Sequence, residues 1–465
     1  MKAHGSGKRI KALFILASLT CGLFTGCKKG DDMFPVIVPP TEQSGESEET
    51  DLTEDDISES DIRMLSVALP YSDLTVQCLA SMLYCKNNGL WDSSDSGMTI
   101  DTDYLSSVAT NYVVSNIGCG STGATLDMVR SWKNGDTMPD LFLAQDSNAV
   151  WEAGYAGDLN AYLSDNSYLT SQYIYTGALT TDSEDGVFFA VPHYCSAKII
   201  MGNTEFIPSS SGKLQMKNTT EDLADYLEEI HEEYDSESDP CAAFASAYEL
   251  IPYLGSAFNG DIPTSYMVSA EYSKDRETAG TVIEDASSYV RDFYSSSLAV
   301  DQIDGADPVY SRKAALWVDS SANIRAWSEY YPGSLYLLHL PCYDAANTGV
   351  PYISTYSLCV ARNSLNGEFA AEFAAFISYD PDAQLLIYRL ENMTGLMPLT
   401  RNDAVWDMIS EDELFRHMAS DFRQTMDNAV YCPDSYDSKV FTKTNEYTAE
   451  FVKQEEDFDP EKCYG

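Results

Sequence analysis

The sequence predicts an α/β fold in which parallel-rich sheets carry helices on both faces. Short apolar runs of strand length alternate with stretches whose apolar residues recur at helical spacing, an order typical of parallel strands joined by crossover helices. Hydrophobic residues make up 44% of the chain, which is enough for a folded core. At 465 residues the chain is longer than one ordinary core requires, so we expect two lobes.

The predicted elements follow one another in the strand–helix order of a parallel sheet. In the first part of the chain we predict strands at 64–70, 112–117 and 141–144, with helices at 74–90 and 125–132 between them. Thr219 and Thr220 are cap candidates for a later helix, and Pro381 can begin another. The later predicted elements are helices at 221–233, 283–294, 368–378 and 381–390, and strands at 314–318 and 352–361.

The charge balance excludes some classes of partner. The formal net charge is −45, because 73 acidic residues face only 28 Lys and Arg. A chain this acidic is repelled by phosphate backbones and by anionic membrane surfaces. We therefore expect neither nucleic acid nor an anionic membrane face as a partner.

The N-terminus has the pattern of an export signal. Lys8, Arg9 and Lys11 precede an apolar stretch at 12–23 that is too short to span a bilayer comfortably. The run 24–27, Phe-Thr-Gly-Cys, resembles the lipobox of bacterial lipoproteins. The resemblance implies a signal peptide at 1–26 and acyl chains, palmitate among them, on Cys27. A plain secretory signal and an internal transmembrane helix are the alternatives.

Residues 27–62 are predicted to be a disordered, lipidated tether. The run 41–61 is acidic and polar, with no aromatic residue and no Lys or Arg. Such a segment buries too little apolar surface to offset its ordering entropy. We expect the protein at the cell membrane of a bacterium, held on the extracytoplasmic face only through its N-terminal lipid.

Several segments resemble, in order, those of one known family. Residues 135–142 have the form G-x-x-x-P-D followed by hydrophobic residues, and residues 186–192 end in Val-Pro. Further segments of this kind are 157–163, 311–318, 340–341 and 368–377. Together they resemble the extracellular solute-binding proteins of ABC importers (family 1, carbohydrate type).

The resemblance implies a type II periplasmic-binding-protein-like fold with two α/β lobes and a hinge between them. The first lobe would be 63–186 plus 350–398, and the second 187–349 plus 399–465. A monomer of this kind captures a solute, a sugar or oligosaccharide, between its lobes and delivers it to the permease of an ABC transporter. The resemblance thus implies a protein that is not an enzyme and that needs no cofactor. The family often has a glycine and an aromatic residue after the strand at 314–318, where this chain has the polar run 319–322.

Candidate ligand-binding residues follow from the rule that ligands sit outside the carboxyl ends of strands. Carboxylates and amides bind sugar hydroxyls, and aromatic rings cover the apolar faces of sugars. The alternatives are that Asp73 or Asp146 caps a helix, that Trp151 or Tyr356 lies in the core, and that His193 is a turn residue. The candidates are Tyr71, Asp73, Gln145, Asp146, Trp151, His193, Tyr194, Asp319, Ser320, Tyr352 and Tyr356.

Two motifs suggest other ligands. Residues 118–123 fit G-x-G-x-x-G, yet an exported protein has little access to dinucleotides, so a tight strand-to-helix turn is the favoured interpretation. Residues 92–103 resemble a calcium loop, but serine replaces the ligands at its third and fifth positions. No His or Cys pair has the spacing of zinc ligands, and we predict no metal site and no disulfide.

Two further functions remain as alternatives. A surface glycoside hydrolase would use two carboxylates, which the acidic composition could supply. However, no G-x-S-x-G, H-E-x-x-H or Ser-His-Asp arrangement is present, and we predict no catalytic residue. A ligand sensor for a membrane kinase would share the fold of a carrier.

Overall fold

The computed structural model describes most of the chain beyond the N-terminal segment. The signal segment, Cys27, the tether up to residue 61 and residues 92–99 of the calcium-like loop lie outside the described residues. All described residues belong to one compact unit, Thr53–Gly465. The described residues are 62–91, 100–120, 122–163, 166–169, 174–175, 177–179, 183–184, 186–236, 238–258, 276–343, 352–427, 429–433, 439–454 and 456–464.

Strands and helices alternate through most of the described chain. The strands are β1 Arg63–Ala68, β2 Tyr112–Asn116, β3 Leu141–Ala144, β4 Ser183–Glu184, β5 Val187–Phe188, β6 Val191–Asn203, β7 Ala242–Ala245, β8 Ala299–Val300, β9 Ala314–Ser320, β10 Leu335–Leu338, β11 Tyr352–Val360, β12 Met397–Pro398 and β13 Val430–Pro433. The helices are α1 Asp73–Asn87, α2 Thr102–Ser107, α3 Leu126–Asn134, α4 Ser147–Glu152, α5 Asn160–Leu163, α6 Thr220–Tyr234, α7 Gly255–Phe258, α8 Arg276–Ser295, α9 Ile324–Tyr330, α10 Gly367–Tyr379, α11 Pro381–Leu390, α12 Asp403–Ile409, α13 Arg416–Thr425, α14 Lys439–Phe451 and α15 Glu461–Tyr464.

The long strand β6 joins two half-sheets. The main order of strands is β2-β1-β3-β11-β6-β9-β7-β8. The first half-sheet consists of β2, β1, β3 and β11, and it pairs with the beginning of β6. The second half-sheet consists of β9, β7 and β8 with β10, and it pairs with β6 from Lys198 onward. The predicted α/β class is confirmed.

Local sequence signals set the ends of several helices. Ser72 caps α1, Thr125 caps α3, and Gly135 is the C-cap of α3. Thr219 and Asp222 form a capping box at the start of α6, which satisfies backbone N–H groups that would otherwise have no partner. Asp380 caps α11, whose first residue is Pro381, so the chain breaks between α10 and α11 at the predicted point.

Hydrophobic cores lie on the faces of both half-sheets. Leu65 and Leu358 belong to a large cluster on the first half-sheet that extends to Trp317 of β9. A second cluster buries Phe244 of β7 and Leu316 of β9 beneath helices α6 and α8. The proposed lobe boundaries stay a prediction.

Candidate functional site

The carboxyl ends of the two half-sheets point toward each other along β6. The last residue of β3, Ala144, pairs with Ser357, which in turn pairs with Pro192 of β6. The last residue of β9, Ser320, pairs with Lys198 of β6 and arrives from the opposite direction. The strand between Pro192 and Lys198 spans roughly 20 Å at about 3.3 Å per residue. We call this stretch of β6, with its neighbour Tyr352–Tyr356, the floor.

The first wall follows β1 and β3, and it holds predicted residues in different surroundings. Asp73 is exposed in the first turn of α1. Gln145 and Asp146 are half-buried, and an Asp146 carboxylate oxygen accepts a hydrogen bond from the amide of Ala149 at 2.9 Å. Asp146 therefore caps α4, as the alternative interpretation has it, and part of its surface remains accessible. Half-buried Trp151 stacks on Phe189, with ring centroids 5.2 Å apart.

A buried polar chain connects the first wall to the floor. The hydroxyl of Tyr71 hydrogen-bonds Nε2 of His193, and Nδ1 of His193 lies 2.9 Å from the hydroxyl of Ser378. His193 has no exposed surface, and this burial lowers its pKa to about 3. The imidazole is therefore neutral at physiological pH and serves to hold Tyr71 against β6.

The floor residues are packed rather than open. The rings of Tyr194 and Tyr356 lie 5.4 Å apart, and they are 1% and 0% exposed. A solute cannot reach these two rings without a rearrangement. Ser196 lies between the half-sheets, since its hydroxyl is 3.2 Å from that of Tyr356 and accepts a hydrogen bond from Ser320 at 2.8 Å. The predicted residues Tyr356 and Ser320 are thus joined through one serine.

The second wall contains a recess of about 200 Å³ beside the end of β9. Asp319 lines it, and its carboxylate accepts hydrogen bonds from Nδ2 of Asn323 at 2.8 Å and Nε1 of Trp327 at 2.5 Å. The buried ring of Tyr352 packs edge-on against Tyr253, with centroids 4.9 Å apart. The recess is lined by Lys198, Tyr248, Glu249, Pro252, Tyr253, Val318, Asp319 and Asn445.

Glu249 differs from the other charged groups of the recess. It projects from the short 3-10 helix Ala247–Tyr253, which follows β7. Desolvation by the surrounding protein, together with the charge of Asp319, raises its pKa to about 7, while Lys198 opposes the shift. Glu249 nonetheless keeps exposed surface, so water in the recess offsets part of this desolvation.

Sequence reasoning did not single out Glu249, Tyr253 or Trp327. The strand before Glu249, β7, is four small or aromatic residues, Ala-Ala-Phe-Ala, and gives no clear periodic signal. If β7 had been predicted, the rule that ligands sit outside the carboxyl ends of strands would have indicated the residues that follow it. Trp327 lies in α9, eight positions after Asp319, and it supplies an aromatic ring beside the polar run 319–322.

The glycine-rich loop at 118–123 has a structural explanation. Gly123 has a φ of +86°, and a Cβ at this position would lie 2.8 Å from the carbonyl carbon of Ala144. Glycine is thus required for the chain to pass closely over the end of β3. Among the described residues, no group of three or more His, Cys, Asp or Glu is placed to hold a metal ion.

Comparisons with solved structures identify the fold. The chain is similar to an ABC substrate-binding protein from Listeria monocytogenes solved with cycloalternan, at 13% identity and a TM-score of 0.57, over 87% of this chain and 96% of that one. It is also similar to the sugar-binding protein MalE from Xanthomonas citri, at 14% identity and a TM-score of 0.59, over 86% and 94% of the two chains.

A third similar structure is the GacH receptor of Streptomyces glaucescens, at 16% identity and a TM-score of 0.55, over 86% of this chain and 95% of that one. No family model matches the sequence, and no curated protein matches it either. The chain therefore has the two-lobed fold of the periplasmic binding proteins, as the sequence resemblance implied. Within the described residues, no helix has both the length and the apolar character needed to cross a membrane.

Proposed function

We propose that this protein captures an extracellular solute, a sugar or oligosaccharide, between its two lobes and delivers it to the permease of an ABC transporter. One observation carries the proposal. The carboxyl ends of β3 and β9 face each other across the floor, and polar and aromatic side chains follow both strands. A solute that contacts both walls gains affinity only in the closed form, so it shifts the equilibrium toward closure.

The side chains of the two walls suit a polyhydroxylated solute. Asp73, Gln145 and Asp146 from the first wall, with Asp319 and Ser320 from the second, supply hydrogen-bonding groups for hydroxyls. Trp151 supplies an aromatic face. In this proposal the buried residues Tyr71, His193, Tyr194, Tyr352 and Tyr356 form and support the floor.

The similar structures support a carbohydrate ligand and a carrier role. The Listeria protein was solved with cycloalternan, and the Streptomyces receptor with acarbose. The Xanthomonas protein is a sugar-binding protein. We extend this ligand class to the present chain and propose that it binds the solute without altering it.

The same proposal covers the location of the protein. Cleavage after residue 26 would leave Cys27 to carry the acyl chains, and residues 27–62 would separate the lipid from the folded body. The body would act as a monomer with lobes at 63–186 plus 350–398 and at 187–349 plus 399–465. Mass spectrometry of the membrane fraction, before and after Cys27→Ala, tests this part, because the variant should lose both the acyl mass and the membrane association.

A binding screen with product analysis tests the carrier function. Purified protein should bind one member of a panel of mono- and oligosaccharides with a stoichiometry of one. A ligand at 100 times its dissociation constant stabilises the fold by about 2.7 kcal/mol, which raises the melting temperature by several degrees. The saccharide should be recovered unchanged after prolonged incubation. Turnover would instead favour the surface glycoside hydrolase.

Matched variants locate the site. Asp319→Asn should weaken binding by about 10-fold or more, because hydrogen bonds to a charged group contribute roughly 1.5–3 kcal/mol. Glu284→Gln, on an exposed part of α8, changes the same charge away from the cleft and should leave the affinity unchanged. Equal affinities for the two variants would place the site elsewhere.

A further inference from the structure

The recess in the second wall contains two carboxylates that are held in different ways. Three N–H groups are aimed at Asp319: the amide of Ser320 at 2.6 Å, Nδ2 of Asn323 at 2.8 Å and Nε1 of Trp327 at 2.5 Å. These donors fix Asp319 in place and favour it as a hydrogen-bond acceptor. It can accept from a solute, but as a carboxylate it cannot donate.

Glu249 has none of this support. The structure shows no hydrogen bond to its side chain in the described residues, and the side chain keeps solvent-exposed surface inside the recess. The neighbouring charges are mostly of its own sign. The acidic neighbours are Asp319 of β9 and Asp307 and Asp301 in the loop after β8, and Asp301 is paired with Lys453, which follows α14. Lys198 of β6 is the other cation, Tyr248 and Tyr253 belong to the same helix as Glu249, and α14 contributes the neutral Asn445.

Closure around an uncharged solute would make the ionised form of Glu249 less favourable. The solute displaces water from the recess, while the carboxylates of Asp319, Asp301 and Asp307 stay where they are. Removing water disfavours a charge, and nearby like charges add to the effect. A neutral carboxylic acid, by contrast, donates one hydrogen bond and accepts others. Of two neighbouring sugar hydroxyls, one could then donate to Asp319, which only accepts, while the other accepts from Glu249.

We propose that Glu249 is a ligand-binding residue that acts as a neutral acid, an inference that rests on the proposed function. When the protein captures an uncharged polyhydroxylated solute, this side chain takes up a proton. The direction of the pH dependence follows. Binding raises the pKa of Glu249 above the value of about 7 that it has without solute. Affinity is therefore greatest below pH 7 and falls as the pH rises, by up to about tenfold per unit.

The sign of this effect distinguishes solute classes. A solute with a positively charged amine would stabilise the ionised form of Glu249, so its affinity would rise with pH instead. An anionic solute would be repelled by the carboxylate of Asp319. The pH profile of the wild-type protein thus reports the charge of the solute that the recess accepts.

Calorimetry in two buffers tests the proposal directly. Maltotriose, cellotriose and xylotriose are titrated into wild-type protein between pH 6 and 9, in phosphate and in Tris, whose ionisation enthalpies differ. The difference in observed enthalpy gives the number of protons taken up. We expect up to about one proton at pH 7–8 and an affinity that falls about tenfold per unit above the pKa of the free protein.

Glu249→Gln is the informative variant, because glutamine can donate and accept like the neutral acid but does not titrate. The variant should bind without proton uptake. Its affinity should be the same at every pH and close to the affinity that the wild type has at pH 6. Glu284→Gln is the matched control and should keep the wild-type pH profile.

Three results would overturn the inference. They are a wild-type affinity that is flat or rises with pH, a Glu249→Gln protein that still takes up a proton, and a folded Glu249→Gln protein that does not bind at pH 6. In each case the wild type still binds a saccharide, so the carrier function stands. If no saccharide binds the wild type at any pH, the proposed function itself fails, and the inference fails with it.

Discussion

His193 is a buried base whose neutral state is part of the fold. It hydrogen-bonds Tyr71 on one side and Ser378 on the other, and its pKa is lowered to about 3 by burial. An unfolded histidine has a pKa of about 6.5, so the unfolded chain binds more protons between these two values. The stabilising contribution is complete above pH 6.5 and is lost as the pH falls toward 3.

We expect this residue to contribute about 2 kcal/mol of the stability lost between pH 7 and pH 5. Urea unfolding at both pH values, for the wild type and for His193→Gln, measures the contribution, because glutamine does not titrate. The variant should lose about 2 kcal/mol less than the wild type over this interval. Identical losses for His193→Gln and wild type would contradict the prediction.

Gly395 is required by both its backbone conformation and its surroundings. Its φ is +81°, and a Cβ there would meet the carbonyl group of Ser321, whose carbon would lie only 2.9 Å away. We expect Gly395→Ala to destabilise the protein by about 3 kcal/mol, from left-handed strain together with the backbone clash. Gly89→Ala separates the two causes, since Gly89 also has a positive φ of +68° but an added Cβ would meet nothing within 4 Å.

The Gly89→Ala variant should lose only about 1 kcal/mol. Chemical unfolding of the two variants under the same conditions gives both values. If both variants lose a similar free energy of unfolding, the backbone around Gly395 and Ser321 shifts enough to accommodate the added Cβ.

At the scale of elements, a small charged network fixes α1 against the break between α10 and α11. Nζ of Lys86 lies 2.8 Å from Asp380 and 2.7 Å from Asp382, whose side chains are 3% and 7% exposed. Tyr168 also donates to Asp380, and Nε1 of Trp91 donates to Asp382. The lysine is therefore the cation that two buried carboxylates share.

We expect Lys86→Met to destabilise the protein by about 3–5 kcal/mol, because it leaves both carboxylates buried without their cation. Arg130→Met removes one partner of an exposed ion pair with Asp127 and should cost less than 1 kcal/mol, as is usual for surface pairs. Urea denaturation midpoints and slopes compare the two. A small loss for Lys86→Met would show that water or another group replaces the lysine.

Helix ends were the most predictable elements, because their chemistry is local. The helix predicted from residue 125 has Thr125 as its N-cap, and Pro381, predicted to begin a helix, is the first residue of α11. These signals depend on a side chain that reaches a backbone N–H only a few residues away, or on a ring that fixes φ. No distant part of the chain is needed to interpret them.

Strand β6 and the recess depend on distant contacts, and local sequence patterns did not reveal them. The run Val191–Asn203 contains Pro192, Lys198 and Gly202 and has no clean alternation, yet it forms one strand because two half-sheets pair with its two ends. The carboxyl-end rule correctly placed Asp146 just after β3 and Asp319 at the end of β9. It could not place Glu249, because β7 was not recognised.

At the scale of the whole molecule, the two half-sheets share a strand and a hydrophobic cluster. The cluster that contains Leu65 of β1 also contains Trp317 of β9, so packing continues from one half-sheet to the other. Ser196 and Ser320 add a hydrogen bond across the floor. We expect this continuity to make the unfolding of the described body cooperative, even though the fold has two lobes.

Hydrogen exchange on the Lys86→Met variant tests this cooperativity. The substitution lies in the first half-sheet's helical layer, far along the chain from β9. If the body unfolds as one unit, the slowest amides of Ala314–Ser320 should lose as much protection, in free energy, as those of Arg63–Ala68. If the lobes unfold separately, β9 would keep its wild-type protection. The shared strand β6 would then act as a hinge between independent folding units, and ligand binding to one wall would stabilise that half alone.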